Sequence, residues 1–112
     1  MIVQGFDAIE VDSAKLRDYC LSQAHPRGRH KARVFRSRLG LVADDAEVLR
    51  EALIAAARNC QTEIRRTTAD EYGERYVLDF DMTTATGFAT IRSMWIARSG
   101  ENVLRLISCY VV

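Results

Sequence analysis

The hydrophobic repeat of this chain changes period near its midpoint, and the change predicts an α+β fold: three N-terminal helices packed on a four-stranded antiparallel sheet. Up to about residue 58 the apolar residues recur at helical spacing. Beyond Cys60 they alternate every second residue, in segments rich in Thr, Ile, Val and Tyr that are separated by turns. Helices first and strands afterwards, rather than in alternation, argue for two layers around one core. Length sets the scale: 112 residues, 48% of them apolar, suffice for a single domain, 1–112, with no linker or repeat.

The elements follow in order. Residues 2–11 alternate loosely through Ile2, Phe6, Ile9 and Val11, as an extended arm in which Gly5 and Asp7 weaken any strand. Asp12 or Ser13 can cap a helix to about Gln23, with Leu16, Tyr19 and Cys20 on one face. His25-Pro26-Arg27-Gly28 reads as a turn, because proline pushes its predecessor to extended backbone. A second helix starts near Arg29: Ala32, Phe35 and Leu39 form its stripe, and Gly40 supplies a left-handed stop. A third is capped by Asp44, has Glu47 three residues on, and runs through Arg58 with a narrow face of Leu49, Ala52, Leu53 and Ala56.

Strands are expected at Thr62 to Thr68, Arg75 to Met82, Phe88 to Arg98 and Val103 to Val112, with a turn at Tyr72-Gly73 and hairpin loops at 83–87 and 99–102. If the last hairpin closes around Gly100 and Glu101, Arg98 faces Val103 and Ser93 faces Ser108. Ser93, Trp95, Leu106, Ser108 and Tyr110 then share one face, and Arg92, Met94, Arg105, Ile107 and Cys109 the other. Both carry enough carbon to be buried, so sequence leaves open which one meets the helices.

Charge is unevenly placed. The formal net charge is +1, yet six of the sixteen basic residues (Arg27, Arg29, Lys31, Arg33, Arg36 and Arg38) fall within 25–38, together with both histidines and no acid. Ten basic residues against fifteen acidic ones remain elsewhere. At about 100° per residue, Arg29, Arg33 and Arg36 line one flank of the apolar stripe and Lys31 and Arg38 the other. Arginine on an amphipathic helix is ordinarily a solvated face. A cluster without internal acids nevertheless repels itself unless an anion or an acidic partner sits among it, which suits local phosphate recognition.

Other classes find little support. Cys20, Cys60 and Cys109 are widely spaced without a CxxC pair, which indicates buried thiols in a reducing compartment rather than a disulfide framework or a zinc site. No acidic pair has metal-ligand spacing, and neither a phosphate-binding glycine motif nor a nucleophile elbow occurs, so no metal and no cofactor is expected. The first ten residues lack a basic leader, and no segment approaches the ~18 apolar residues of a membrane span, so the chain reads as cytoplasmic with no membrane partner. Oligomeric state is not encoded in any recognisable pattern.

Lys15-Leu16-Arg17-Asp18-Tyr19, His25-Pro26, Gly28 to Arg33 with Phe35, Tyr72-Gly73, Trp95-Ile96 and Arg105 to Tyr110 together resemble a small bacterial family, the domain of unknown function 6883, over nearly the whole chain. That resemblance implies a partner: such proteins tend to be encoded beside another small protein, in the manner of toxin–antitoxin pairs. The succession of elements also resembles, more distantly, the metal-independent ribonuclease superfamily that joins barnase, EndoU, the colicin E5 and D nucleases and RelE. EndoU-like members place [Ser/Thr]-x-Tyr in the last strand, which here is Ser108-Cys109-Tyr110. Two positions depart from the family pattern, Leu104 and Val111, where proline is usual.

These resemblances imply an endoribonuclease-like toxin that cleaves RNA by attack of the 2′-hydroxyl, held in check by a small cognate protein. Such chemistry needs a base, cations around the phosphorane and an acid for the leaving oxygen. His25 is the candidate base, Lys31 and Arg29 the phosphate ligands, and His30 or Tyr110 the acid. Ser108 could bond a base edge, and Trp95 or Tyr110 could stack on one, although aromatic residues on strands are more often core. Arg27, Arg33 and Arg105 complete the candidate substrate-binding set. The alternatives are a non-catalytic module that binds RNA or an acidic protein through 25–38, and an immunity or antitoxin-type protein.

Overall fold

A computed structural model describes residues 6–59 and 64–112. Strand β1 (Ala8–Glu10) comes first, then α1 (Ser13–Lys15) running into a π-helical turn at Leu16–Cys20, α2 (Arg29–Leu39), a 3₁₀ turn at Ala43–Asp45 and α3 (Ala46–Asn59). β2 (Arg65–Asp70), β3 (Gly73–Thr83), β4 (Phe88–Arg98) and β5 (Val103–Val111) follow. The class is α+β, but the expected four-stranded antiparallel sheet is corrected to a five-stranded mixed one of order β1-β5-β4-β3-β2, and the helices follow its first strand. β1 lies parallel to β5, with Ile9 opposite Leu104 and Glu10 opposite Arg105. Three residues are too few to establish an alternation, and the partner that makes them a strand lies over ninety positions away.

The first helix is also shorter than its periodicity indicates. Asp12 caps it through Ala14 N (2.9 Å), but the backbone widens into a π turn that ends at Cys20, burying Leu16 and Cys20 beneath the sheet edge. α2 matches its pattern: Ala32, Phe35 and Leu39 are buried and Gly40 ends the helix at φ 69°. A β-carbon there would come within 2.3 Å of Thr86 Oγ1, so both backbone angle and space require glycine. At the start of α3 the capping acid is Asp45, which accepts from Val42 N at 2.9 Å, not Asp44. Cys60 and the start of the expected 62–68 strand lie outside the described residues, as do residues 1–5; the strand itself is observed at Arg65–Asp70.

The last hairpin begins as expected and then slips. Ile96 faces Arg105 and Trp95 faces Leu106, but Met94 faces Ser108 and Ser93 faces Cys109, because a bulge at Ile107 inserts one residue into β5. The slip turns the final residues over, so Cys109 points to the core while Ser108 and Tyr110 join Met94 and Arg92 on the opposite face. The face that meets the helices carries Tyr76, Leu78, Ile91, Ser93, Trp95, Leu104, Leu106 and Cys109. Ser93 is its buried polar residue, and its hydroxyl is satisfied twice: it donates to Leu78 O (2.7 Å) and accepts from Trp95 Nε1 (2.9 Å).

Candidate functional site

The site grows from the turn before α2. His25 Nδ1 accepts hydrogen bonds from Arg27 N and Gly28 N, both at 3.0 Å, and the Tyr19 ring meets the imidazole edge-on at 4.6 Å. The turn packs so closely on the π turn that a β-carbon at Gly28 would lie 2.4 Å from Tyr19 O. These contacts use His25 as a cap for the free amides that precede a helix. They also constrain its chemistry. With Nδ1 filled as an acceptor, the neutral ring carries its proton on Nε2, which leaves no free lone pair for a base. His30, one turn on, is exposed, with no partner among the described residues.

Beyond the turn the cations divide as helical geometry requires. Arg27, Arg29, Arg33 and Arg36 are exposed, and their side chains make no ion pair among the described residues. On the other flank, Arg38 donates to Phe88 O (3.4 Å) and the Lys31 ammonium sits 4.7 Å from the centre of the Tyr110 ring. Elsewhere Lys15, Arg65 and Arg98, on three separate elements, also make no ion pair among the described residues, but six arginines are matched. Arg17, Arg50, Arg66, Arg75, Arg92 and Arg105 all pair with carboxylates.

Tyr110 brings two further groups into the site. Its row across the sheet is Asp79, Arg92, Tyr110, and Arg92 is gripped by Asp79 through two bonds of 2.9 and 2.8 Å. That pairing, with Tyr110 as a second hydrogen-bond partner, raises the Arg92 guanidinium above its usual range, and the same pairing holds the Asp79 carboxyl below its own. The phenol thus lies between an ammonium and a fixed guanidinium. Ser108 is two residues away on the same face, with its Oγ 3.9 Å from Cys20 Sγ.

Of the residues singled out from sequence, Lys31, Tyr110 and Ser108 converge at this end of β5, beside the turn that carries His25. Trp95 does not join them: it is fully buried and its N–H is bound, so it offers no face to a base. Arg105 lies roughly 15 Å back along the strand by residue rise, held by Glu10 and Glu101. There it lines a separate cavity of about 630 Å³ with Lys15, Arg50 and Arg98. Arg92 and Asp79 were missed. Closing the 83–87 loop so that Thr83 faces Phe88 would have set Asp79 opposite Arg92, which is the register observed.

Among the described residues no group of three or more His, Cys, Asp or Glu side chains could hold a metal ion, and no helix is long and apolar enough to cross a membrane. No curated protein matches the sequence. Among solved structures, a chain of a contact-dependent growth inhibition toxin–immunity protein complex from Klebsiella pneumoniae 342 superposes with a TM-score of 0.73 at 20% identity, over 91% of this chain and 98% of that one. At that identity the likeness is one of fold. Residues 3–112 match the domain of unknown function DUF6883, and the chain belongs to that family.

Proposed function

We propose that this domain is an endoribonuclease-type toxin that holds the RNA backbone along the Arg29–Arg33–Arg36 flank of α2 and seats the scissile phosphate at the Lys31–Tyr110–Arg92 cluster on the helix's other flank, and that a small acidic protein neutralises it. The observation that carries the reading is the clustering of unmatched cations: Arg27, Arg29, Arg33 and Arg36, on one turn and helix, make no ion pair among the described residues, while six arginines elsewhere are matched by carboxylates and the cations outside that helix without an ion pair, Lys15, Arg65 and Arg98, lie on separate elements. A fold in common with one chain of a toxin–immunity complex supports it.

In this scheme Lys31 and Arg92 stabilise charge on the phosphorane, Tyr110 carries the proton to the leaving 5′-oxygen, and Ser108 hydrogen-bonds the nucleotide. His30, whose two ring nitrogens are open, takes the proton of the 2′-hydroxyl. The nucleophile comes from the substrate. Cleavage should therefore persist in EDTA, leave 2′,3′-cyclic phosphate ends, and fail on RNA with 2′-deoxy substitution at the cut site. Uncut RNA, in the face of toxicity to cells that lack the partner, would sink the reading.

A non-catalytic module that binds RNA or an acidic protein through the same flank is the second reading. It is favoured by the cap role of His25 and the burial of Trp95, which withdraw two expected groups from the chemistry. Under it, Arg29→Ala, Arg33→Ala and Arg36→Ala weaken binding additively while Tyr110→Phe changes nothing.

A further inference from the structure

Two buried thiols tie the π turn to the bulged strand. Cys20 closes the turn, and the bulge at Ile107 rotates Cys109 inward to meet it; each is 1% exposed and both are free. Ser108 Oγ lies 3.9 Å from the Cys20 sulfur, and the Cys109 thiol, on the next residue of β5, is the neighbour that acts on it most strongly. The environment makes the two sulfurs unequal. Donation from Cys109, against the opposing effect of burial and with smaller help from Ser108 and Lys15, lowers Cys20 to about 6. Donating to Cys20, together with burial, pushes Cys109 up. One is a nucleophile in waiting, the other its protonated neighbour.

We propose that Cys20 and Cys109 form a redox-active dithiol that closes to an intramolecular disulfide when a small-molecule disulfide oxidant, such as oxidised glutathione, is present. Cys20 already reaches Ser108, the residue next to Cys109, so closure asks the two buried side chains to turn toward each other to form the ~2.05 Å S–S bond. The Cys20 thiolate attacks one sulfur of the oxidant, forming a mixed disulfide and expelling a thiolate. Cys109 then gives up its proton and attacks the Cys20 sulfur, expelling the second thiolate. The two cysteine sulfurs lose two electrons in all, the oxidant gains them, and two thiols leave with the two protons. Access comes through local opening of the five-residue π turn, a short element packed at the edge of the sheet. The closed bond spans residues 20 to 109, pins the turn against β5 beside Ser108 and Tyr110, and encloses α2 in a covalent loop.

The test is thiol mapping of the folded full chain after incubation with oxidised glutathione, with free thiols alkylated before tryptic digestion. Arg17, Arg27, Arg58, Arg65 and Arg105 place the three cysteines in separate peptides. The expected result is loss of two of the three alkylatable thiols, a cross-linked pair of peptides containing Cys20 and Cys109, and a higher melting temperature that dithiothreitol reverses. Cys60→Ala should behave identically, and Cys109→Ser should stop at the glutathione mixed disulfide on Cys20. A cross-link that involves Cys60 overturns the proposal. So does retention of all three thiols by a chain that circular dichroism shows to be folded, both in buffer and in sub-denaturing urea, where the π turn opens more often. None of these readouts depends on RNA cleavage, so failure of the functional reading leaves them intact.

Discussion

His25→Ala separates a structural histidine from a catalytic one. The substitution leaves Arg27 N and Gly28 N without their shared acceptor and removes the ring that meets Tyr19 at 4.6 Å. A lost cap costs about 1 kcal/mol, and an aromatic edge contact about 0.5–1.5 kcal/mol. The two sum to roughly 2 kcal/mol, a fall in melting temperature of roughly 8 °C or more for a domain of this size. His25→Asn keeps an acceptor oxygen in the cap and should recover about half of that loss. Thermal unfolding by circular dichroism measures both. Cleavage assayed well below the melting point of the variant should then change less than tenfold, because the Nδ1 bonds leave the ring without a free lone pair. A loss of roughly 10² to 10⁴-fold in a folded His25→Ala protein, the range a general base supplies, would refute this reasoning and return the base role to His25.

Three further outcomes follow from the geometry. Ser93→Ala strands the buried Trp95 N–H and the Leu78 carbonyl and should destabilise by about 1–3 kcal/mol in urea titration, while Ser93→Thr keeps the hydroxyl and loses less. Asp79 is held below its ordinary 3.8 by Arg92, so it stabilises the fold above that pH and loses this as pH falls through its folded value; Asp79→Asn should flatten the decline in melting temperature below about pH 4. Arg29→Ala, Arg33→Ala and Arg36→Ala together remove unpaired charge and should leave stability within about 0.5 kcal/mol or raise it. They should also reduce the salt dependence of RNA binding by about one unit of slope each, as measured by fluorescence anisotropy.

Much of the site was legible in the sequence because its signals are local. The stripe of Ala32, Phe35 and Leu39, the stop at Gly40 and the basic flank depend only on helical spacing, and each appears where that spacing puts it. His25 was legible as a turn residue, but its use as a cap depends on which nitrogen meets the amides, a matter of three-dimensional geometry. Trp95 illustrates the other limit. Period two assigns it to one face of β4, and which face is buried follows from helices packed some sixty residues earlier in the chain.

Sequence by itself determined the change from helical to strand period after about residue 58, the single core, the two hairpin loops and the concentration of cations at 27–38, since period, turn residues and charge are properties of short windows. Tertiary structure alone decided the parallel pairing of β1 with β5, the bulge at Ile107 and everything the bulge aims. One residue inserted into β5 turns Cys109 to Cys20 and Tyr110 to Lys31 and Arg92. The physical reason is the period of a strand. Side chains alternate every residue, so a slip of one exchanges the faces, and whether it occurs is set by the fit of the π turn and α2 against the end of the sheet, contacts that join residues about ninety positions apart.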